Sequence, residues 1–349
     1  MTALLGIVID VQSDITLSAS DLETSAKSSF NADIKEKGRV LVPGRLLSEI
    51  SKALPNKPVS FNLDGNRVLV TAGTAKFTLP TLPINEYPNL PTLPETTGVI
   101  DSDLFSTAVN QVAVAAGRDD SLPTLTGIHV DINKDTITFA ATDRYRLAVR
   151  EINWRPNNPE ITATALLRAR TLADATRSIT NTKEVSFAIA PTSSNERLIG
   201  FTNGAKSMTS RQLDGTFPPY RHLLPTEGIA TAVIEVAKLL DSVRRVALVT
   251  DKTIPLRLKF NDGSLQLEAG AGDEAQATEE LEIQFVGEAI DIAFNPTFLA
   301  DGLNALGTTY VNIAFTGSNK PAMLSGKNRL DGEIDGSYRY LLMPMRYAS

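Results

Sequence analysis

The sequence contains no cysteine among its 349 residues. Without a thiol there is no disulfide framework, no thiolate metal cluster and no cysteine nucleophile, and a reducing cytoplasm is the setting that we expect. Histidine occurs only at His129 and His222, which leaves little for a zinc site or for histidine acid–base chemistry. We therefore expect no metal ion and no cofactor.

Long apolar runs are also absent. No stretch approaches the ~20 apolar residues that a membrane-spanning helix needs. The first basic residue is Lys27, so the short apolar segment at residues 3–9 has no charged region ahead of it, as a signal peptide would have. The sequence predicts a cytoplasmic protein.

The motifs of common enzyme classes are missing as well. There is no Gly-x-Gly-x-x-Gly, no phosphate-binding Gly-Lys-Ser/Thr loop, no Gly-x-Ser-x-Gly and no His-Glu-x-x-His. The acidic pairs at residues 119–120 and 273–274 lie in polar stretches, where we expect solvated loops and not carboxylates with tuned pKa values. His129 alternates with apolar residues on a predicted strand and is expected to face solvent. These patterns favour a non-catalytic protein.

The net charge of −6, from 34 basic and 40 acidic residues, excludes a uniformly basic surface. The five predicted helices together carry +3, which leaves −9 for the rest of the chain. An ordinary solvated helix face is one interpretation of this. If all the helices face one way, they form a positive face that suits a DNA backbone contacted without sequence readout. The basic residues in question are Arg45, Lys52, Arg118, Arg168, Arg170, Arg177, Lys238, Arg244 and Arg245.

An internal repeat organises the chain. A strand, a helix and a second strand follow one another at residues 40–61, 165–187 and 292–313. Val59, Val185 and Val311 are spaced by 126 residues, and so are Leu46, Leu172 and Phe298. A register that holds across a helix and into the next strand predicts three copies of one structural unit.

The copies differ at their beginnings. The second begins with a strand near residues 98–100 and a helix from residue 102 to about 116, and the third with a strand at 230–234 and a helix at 235–246. Each copy also contains a predicted hairpin, which in the third copy turns at Asp262 and Gly263. The first copy has no strand and helix at the corresponding place, so we expect the chain to begin inside its first domain.

Proline-rich connectors at residues 78–94 and 217–225 separate the copies. We place the domains at residues 1–94, 95–226 and 227–349. Each is rich in strands and has helices in a pattern typical of an α+β fold.

Four motifs resemble the bacterial DNA sliding clamps, the beta subunit of DNA polymerase III, over essentially the whole chain. They are residues 141–148 (Ala-Thr-Asp-Arg-Tyr-Arg-Leu-Ala), 213–220 (Leu-Asp-Gly-Thr-Phe-Pro-Pro-Tyr), 294–296 (Phe-Asn-Pro) and 343–346 (Met-Pro-Met-Arg). The resemblance implies three clamp-type domains per subunit and a head-to-tail homodimer. It also implies a closed ring with helices lining the channel and antiparallel sheets outside.

The resemblance further implies a pocket between the second and third domains that binds short motifs of the replicative polymerase, the clamp loader, other polymerases and repair proteins. Apolar pocket residues would receive the hydrophobic side chains of the motif, and arginines would orient its backbone or carboxylate groups. Arg144 and Tyr145 stand where glycine and histidine are common in the family. The positions implied are Leu125, Thr142, Arg144, Tyr145, Arg146, Leu147, Pro218, His222, Leu223, Pro321, Leu341, Met343, Pro344, Met345 and Arg346.

The ring interface implied by the resemblance joins the first domain of one subunit to the third domain of the other. Its expected residues are Leu46, Ile50, Leu54, Phe77, Leu79, Leu248 and Val249.

The function that we predict is a non-catalytic clamp that encircles double-stranded DNA and gives the replicative polymerase processivity. One alternative is a shortened clamp that acts only as a monomeric peptide-binding scaffold. A hydrolase that uses the acidic loops is a further alternative, although no positioned base supports it.

Overall fold

The computed structural model describes residues 3–178, 182–190, 197–225, 228–250, 254–270 and 275–346. It divides into two compact units. The first consists of Met1–Ser102, Arg155–Asn157 and Arg177–Gln212, and the second of Asp103–Trp154, Asn158–Thr176 and Leu213–Ser349. The middle copy of the repeat therefore contributes strands to both units.

The first copy of the repeat contains seven strands and one helix. In chain order they are β1 (Gly6–Val11), β2 (Ile15–Ser20), β3 (Thr24–Phe30), β4 (Gly38–Pro43), α1 (Gly44–Ala53), β5 (Val59–Asp64), β6 (Arg67–Ala72) and β7 (Ala75–Pro80). Leu47 and Ile50 lie three residues apart on one face of α1. Both are buried in a core with Val68, Val70 and Leu79. The amphipathic spacing thus fixes α1 against the sheet of β5, β6 and β7.

In its described residues, the second copy contains nine strands and two helices. They are β8 (Gly98–Asp101), α2 (Ser102–Ala113), β9 (Gly127–Asn133), β10 (Thr136–Thr142), β11 (Arg146–Asn153), β12 (Arg155–Pro156), β13 (Thr162–Arg168), α3 (Ala169–Ser178), β14 (Glu184–Ile189), β15 (Leu198–Asn203) and β16 (Lys206–Arg211). The predicted strands and helices are confirmed here, although α2 ends at Ala113 and not near residue 116.

The part of the third copy that the structure describes also contains nine strands and two helices. They are β17 (Ala230–Glu235), α4 (Val236–Val246), β18 (Leu256–Asn261), β19 (Ser264–Ala269), β20 (Ala277–Glu282), β21 (Gln284–Gly287), β22 (Ile290–Phe294), α5 (Pro296–Leu306), β23 (Tyr310–Phe315), β24 (Ala322–Lys327) and β25 (Asp335–Leu342). Gly263 has a φ of 74° in the turn between β18 and β19, a conformation that glycine adopts without strain.

All strand pairs within the described residues are antiparallel, and they form four sheets. The first unit holds a nine-stranded sheet ordered β12-β8-β14-β15-β16-β3-β2-β1-β4 and a three-stranded sheet ordered β5-β6-β7. The second unit holds a nine-stranded sheet ordered β13-β9-β10-β11-β25-β24-β23-β17-β21 and a four-stranded sheet ordered β20-β19-β18-β22. Each nine-stranded sheet joins two copies of the repeat, through β3 with β16 and through β11 with β25.

The first proline-rich connector packs onto the first copy. Tyr87 is buried in a cluster with Ala3, Val8 and Leu41, and Leu90 packs against this cluster. No helix within the described residues is both long enough and apolar enough to span a bilayer.

Candidate functional site

A tight loop connects β10 to β11 at the centre of the 141–148 motif. Asp143 accepts hydrogen bonds through Oδ1 from the backbone N–H groups of Tyr145 (3.0 Å) and Arg146 (3.1 Å). The Thr142 hydroxyl donates to the carbonyl of Arg146 at 2.7 Å. Arg144 at the tip has a φ of 78°, a left-handed conformation that is costly for a residue with a side chain. The motif thus folds into a rigid loop whose tip presents Arg144 and Tyr145 to solvent.

Arg146 is the buried centre of this site. Its guanidinium donates to Asp143 Oδ2 at 3.0 Å, to Asp301 Oδ2 at 2.6 Å and to the Tyr340 hydroxyl at 3.4 Å. It also lies over the Phe298 ring, 4.2 Å from the ring centre. Burial opposes the charged form, but Tyr340, Asp301 and Asp143 together raise the pKa of Arg146 above its ordinary value. Arg146 therefore ties the β10–β11 loop to α5 and β25 from within.

The 294–296 motif fixes the start of α5, the helix that carries Phe298 and Asp301. Asn295 caps the helix by accepting hydrogen bonds from the N–H groups of Thr297 and Phe298, and Pro296 occupies the first helical position, where no N–H is needed. A Cβ at Gly302 would lie 2.4 Å from the ring of Tyr340. Glycine is required there because it lets Tyr340 pack directly on α5, where its hydroxyl donates to the carbonyl of Phe298 at 2.8 Å.

The carboxy-terminal motif leaves β25 in an extended conformation and is anchored at two points. The N–H of Met343 donates to the carbonyl of Tyr145 at 2.9 Å, and the N–H of Met345 donates to the carbonyl of Ala293 at 2.8 Å. Met343 is exposed, and Pro344 and Met345 are half-buried. The tail is thereby held beside the β10–β11 loop.

The apolar part of the site lies beneath these segments. Leu147 and Leu341, directly opposite each other on β11 and β25, are buried in one cluster with Phe217 and Tyr220. Exposed side chains surround this cluster on the neighbouring segments. They are Tyr145, Pro218, His222, Leu223, Met343 and Arg346. The arrangement is an apolar floor with an adaptable, partly apolar rim, because methionine and tyrosine suit variable contacts.

Two predicted pocket residues are connected less directly to this cluster. Leu125 is buried in the turn that precedes β9. Pro321 precedes β24 and is half-buried, and since Ala322 pairs with Leu342, it lies at the same end of the sheet as Met343.

The expectation that His129 faces solvent holds only in part, because its side chain is half-buried. Its ring is stacked on Phe217 with 5.2 Å between the centres, and burial lowers the pKa of the imidazole, with Asp131 opposing this and Arg221 adding to it. The alternation along β9 identified the correct side of the strand. It could not show that the 213–220 segment returns across that side and covers it.

The comparisons with known proteins agree along the whole chain. Three family models match in sequence order: the N-terminal domain of the DNA polymerase III beta subunit at residues 1–91, the central domain at 99–219 and the C-terminal domain at 221–346. The chain belongs to the DNA polymerase III beta subunit family.

Relatives of the chain confirm the fold. The chain is 49% identical to the beta sliding clamp of Streptomyces coelicolor over 96% of its own length and 89% of the relative's. It is 42% identical to the beta sliding clamp homolog GriR of Streptomyces muensis, over 99% and 92% of the two chains. The crystal structure of the DNA polymerase III subunit beta from Pseudomonas aeruginosa superposes with a TM-score of 0.89 at 26% identity, over 99% and 93%. The clamp fold is confirmed, and beta sliding clamps are DNA replication factors without catalytic activity, so the chain is not an enzyme.

The basic residues singled out in the sequence fall into two groups. Lys52, Arg118 and Arg170 are exposed and form no ion pair within the described residues. Most of the others lie close to carboxylates, which reduces the local positive charge. These pairs are Arg45 with Glu49, Arg168 with Asp120, Lys238 with Glu235, Arg244 with Asp241 and Arg245 with Glu279. Arg177 is exposed near the end of α3.

The predicted interface residues of the chain differ in exposure. Leu248 is 84% exposed, Leu46 is also exposed and Val249 is half-buried. Ile50 and Leu79 are instead buried in the core of the first copy, and Phe77 and Leu54 pack against that core.

The acidic pairs are placed as follows. Hydrogen bonds from the Ser121 side chain, chiefly, and from its backbone N–H lower the pKa of Asp119. Asp120 pairs with Arg168. Residues 273–274 lie outside the described residues. No group of three or more possible metal ligands occurs in the part of the chain that the structure describes.

Proposed function

We propose that two copies of this chain close head to tail into a ring around double-stranded DNA and tether the replicative DNA polymerase to its template. Such a subunit works on the chromosome, in the bacterial cytoplasm. The proposal rests on strand pairing between copies of the repeat. The same kind of pairing occurs at both junctions within the chain, and the two strands that would form a third such pair are edge strands in the described residues.

Both junctions between copies use the same two strands. The strand that follows the hairpin of one copy pairs with the last strand of the next copy: β3, which follows β1 and β2, pairs with β16, and β11, which follows β9 and β10, pairs with β25. In the third copy the strand that follows the hairpin of β18 and β19 is β20, and the last strand of the first copy is β7. Both are edge strands in the sheets of the described residues. A pairing of β20 with β7 of a second chain would extend the rule, and an interface of this head-to-tail kind closes a ring when its rotation closes.

The rule also supplies a register. Met208 lies opposite Ala26 at the first junction, and Tyr340 opposite Ala148 at the second. On β7, Phe77 lies opposite Val70, and Val70 in turn lies opposite Phe61, which is 126 residues before Phe187. Phe77 is therefore the residue of β7 that corresponds to Met208 and Tyr340. The corresponding residue of β20 is Ala277, opposite Ala269. We therefore propose that Phe77 of one chain faces Ala277 of the other.

The ring would hold DNA by topology and slide along it, so its lining needs positive charge without contacts that read the bases. Lys52, Arg118 and Arg170 support this role best, since they are exposed and form no ion pair in the described part of the chain. The paired arginines and lysines contribute less, because their carboxylate partners offset their charge.

The apolar floor of Leu147 and Leu341, with its rim of Tyr145, Leu223 and Met343, is the site where we propose that short motifs of the polymerase, the clamp loader and repair proteins bind. Exposed apolar side chains around a buried cluster are typical of a docking surface. Arg146 acts in this proposal as a positioning residue, because its guanidinium is already bonded within the protein.

Ring closure is tested by a disulfide, since the chain has no cysteine of its own. The pair F77C and A277C should cross-link two chains under mild oxidation, and light scattering should show a dimer before oxidation. The matched control pairs T78C with A277C, and it should not cross-link because neighbouring residues of a strand point to opposite faces. A monomer at micromolar concentration, or cross-linking by the control alone, would contradict the proposed ring.

Two further experiments test DNA binding and docking. The ring should stay on nicked circular DNA and be lost when that DNA is made linear, whereas a monomeric peptide-binding scaffold would show neither behaviour. H222A and M343A should weaken binding of a polymerase-tail peptide, while V286A, at an exposed apolar residue on β21, should not. Equal binding by all three variants would show that the docking site is elsewhere.

A further inference from the structure

The tip of the β10–β11 loop holds an arginine in a conformation that favours glycine. Arg144 has a φ of 78° and is exposed. At an exposed tip, glycine would adopt this backbone without strain, and no packing requirement excludes it. Strain that a chain keeps at such a position points to a use for the side chain.

The first copy contains the same loop without an arginine at its tip. Leu22 has a φ of 79°. The Ser20 hydroxyl accepts a hydrogen bond from the N–H of Leu22 at 3.1 Å, as the Thr142 hydroxyl does from Arg144 at 3.2 Å. Asp21 Oδ1 accepts from the N–H groups of the next two residues, at 3.1 and 2.7 Å. The loop backbone therefore forms the same hydrogen bonds with leucine, and it does not require the guanidinium of Arg144.

The guanidinium of Arg144 forms no hydrogen bond or ion pair among the described residues. The two carboxylates beside the loop already bind Arg146, at 3.0 and 2.6 Å. The pKa of Asp119, which hydrogen bonds from Ser121 chiefly lower, is lowered further by the charge of Arg144. This interaction is long-range, since the two side chains form no ion pair in the part of the chain that the structure describes. The positive charge of Arg144 is thus available to a partner.

A second cation lies on the other side of the apolar rim. The N–H of Met343 donates to the carbonyl of Tyr145, which places the carboxy-terminal tail beside the loop. Arg346 is exposed and follows Met343 by three residues, roughly 10 Å along an extended chain. Two arginines therefore flank the exposed side chains of Tyr145 and Met343, although the chain as a whole carries a net charge of −6. Charge complementarity favours an acidic partner at this rim.

We propose that Arg144 is a specificity-determining residue of the docking site, and that it selects motifs with an aspartate or glutamate beside their apolar residues. The proposal rests on the docking function proposed above and adds the chemistry of the partner. A guanidinium binds a carboxylate through two parallel hydrogen bonds. The loop fixes the backbone of Arg144 before binding, which lowers the cost of ordering it. The apolar floor supplies affinity, and Arg144 discriminates between motifs.

The selectivity is tested with the full chain and three labelled versions of one polymerase-tail peptide. They carry aspartate, asparagine or lysine next to the apolar residues. By fluorescence anisotropy, the aspartate peptide should bind about fivefold more tightly than the asparagine peptide, as expected for an exposed charge pair. The lysine peptide should bind more weakly than both. The advantage of aspartate should shrink as salt is added, because salt screens exposed charges.

Three chain variants assign the selectivity to one side chain. R144M should abolish the advantage of the aspartate peptide and leave the affinity of the asparagine peptide within about twofold. R144K should retain part of the advantage, because lysine keeps the charge but not the planar fork of donors. R329M is the matched control, since it removes an exposed cation from the segment between β24 and β25, and it should preserve the full advantage.

The outcomes separate this proposal from the docking function on which it rests. Equal binding of the three peptides by the parent chain would overturn the selectivity and leave the docking site in place. The same would follow if R144M weakened the aspartate and asparagine peptides equally, or if R329M reduced the advantage as much as R144M. Failure of all three peptides to bind the parent chain would overturn the docking function and the selectivity together.

Discussion

Replacing Arg146 by methionine tests how the β10–β11 loop is held to α5 and β25. Methionine preserves much of the side-chain volume but leaves Asp143 and Asp301 without their cation. The side chains of Arg146, Asp143 and Asp301 are 5%, 15% and 35% exposed. Removing one member of a buried ion pair costs about 3–5 kcal/mol, and the partial exposure of Asp301 sets the expectation near the lower limit. We expect R146M to lower the free energy of unfolding by about 3 kcal/mol.

Trp154 provides the measurement, since it is the only tryptophan of the chain, is 5% exposed and belongs to the same compact unit as Arg146. Urea unfolding followed by its fluorescence gives the free energy of that unit. R144M is the matched control, because Arg144 is exposed at the loop tip two residues away, and its effect should be within about 0.5 kcal/mol.

A double-mutant cycle separates the ion pair from the packing on Phe298. The variant R146M/D301N should recover about 1 kcal/mol or more of the loss, because it removes the unpaired carboxylate. Equal effects of R146M and R144M, or a cycle without coupling between Arg146 and Asp301, would show that this ion pair does not hold the loop in place.

Three other changes probe separate features. R144G should raise the free energy of unfolding by about 0.5–1 kcal/mol in urea titrations, because glycine relieves the strain of a φ of 78°; a loss of stability would contradict this. Because burial chiefly lowers the pKa of His129, protonation favours the unfolded chain. The free energy of unfolding should therefore fall as the pH drops below about 6.5, and H129F, which keeps a ring on Phe217, should flatten that part of the profile. L248D should leave stability within about 0.5 kcal/mol but dissociate the dimer in light scattering, and a persistent dimer would exclude Leu248 from the interface.

Much of the local structure could be predicted because it depends on local signals. The 126-residue period located the starts of α1, α3 and α5 to within about a residue, and the Asp-Gly turn located the hairpin of β18 and β19. Apolar spacing identified α4, and the cap by Asn295 explains why α5 begins where Phe-Asn-Pro predicts.

The tertiary part of the site could not be derived from residue patterns. In the sequence, Arg146 is one of several polar residues of a predicted loop. The residues around it do not indicate its partner Asp301, which lies 155 residues later. Its role as a buried link depends on the pairing of β11 with β25, which brings together segments from two copies. The same is true of His129, whose burial depends on Phe217.

The junction registers show how these long-range pairings are encoded. At each junction a small residue of one copy meets a large side chain of the other, Ala26 with Met208 and Ala148 with Tyr340. Both members of the second pair are fully buried, and Gly302 leaves room for the Tyr340 ring on α5. A slip by one residue would turn Tyr340 to the opposite face of the sheet and leave a cavity beside Gly302. Size complementarity thus fixes the register at the second junction, whereas at the first Ala26 is exposed and Met208 is half-buried. Ala277 with Phe77 offers the same combination of a small and a large residue at the open edges, which is why one pair of cysteines and its neighbour suffice to test ring closure.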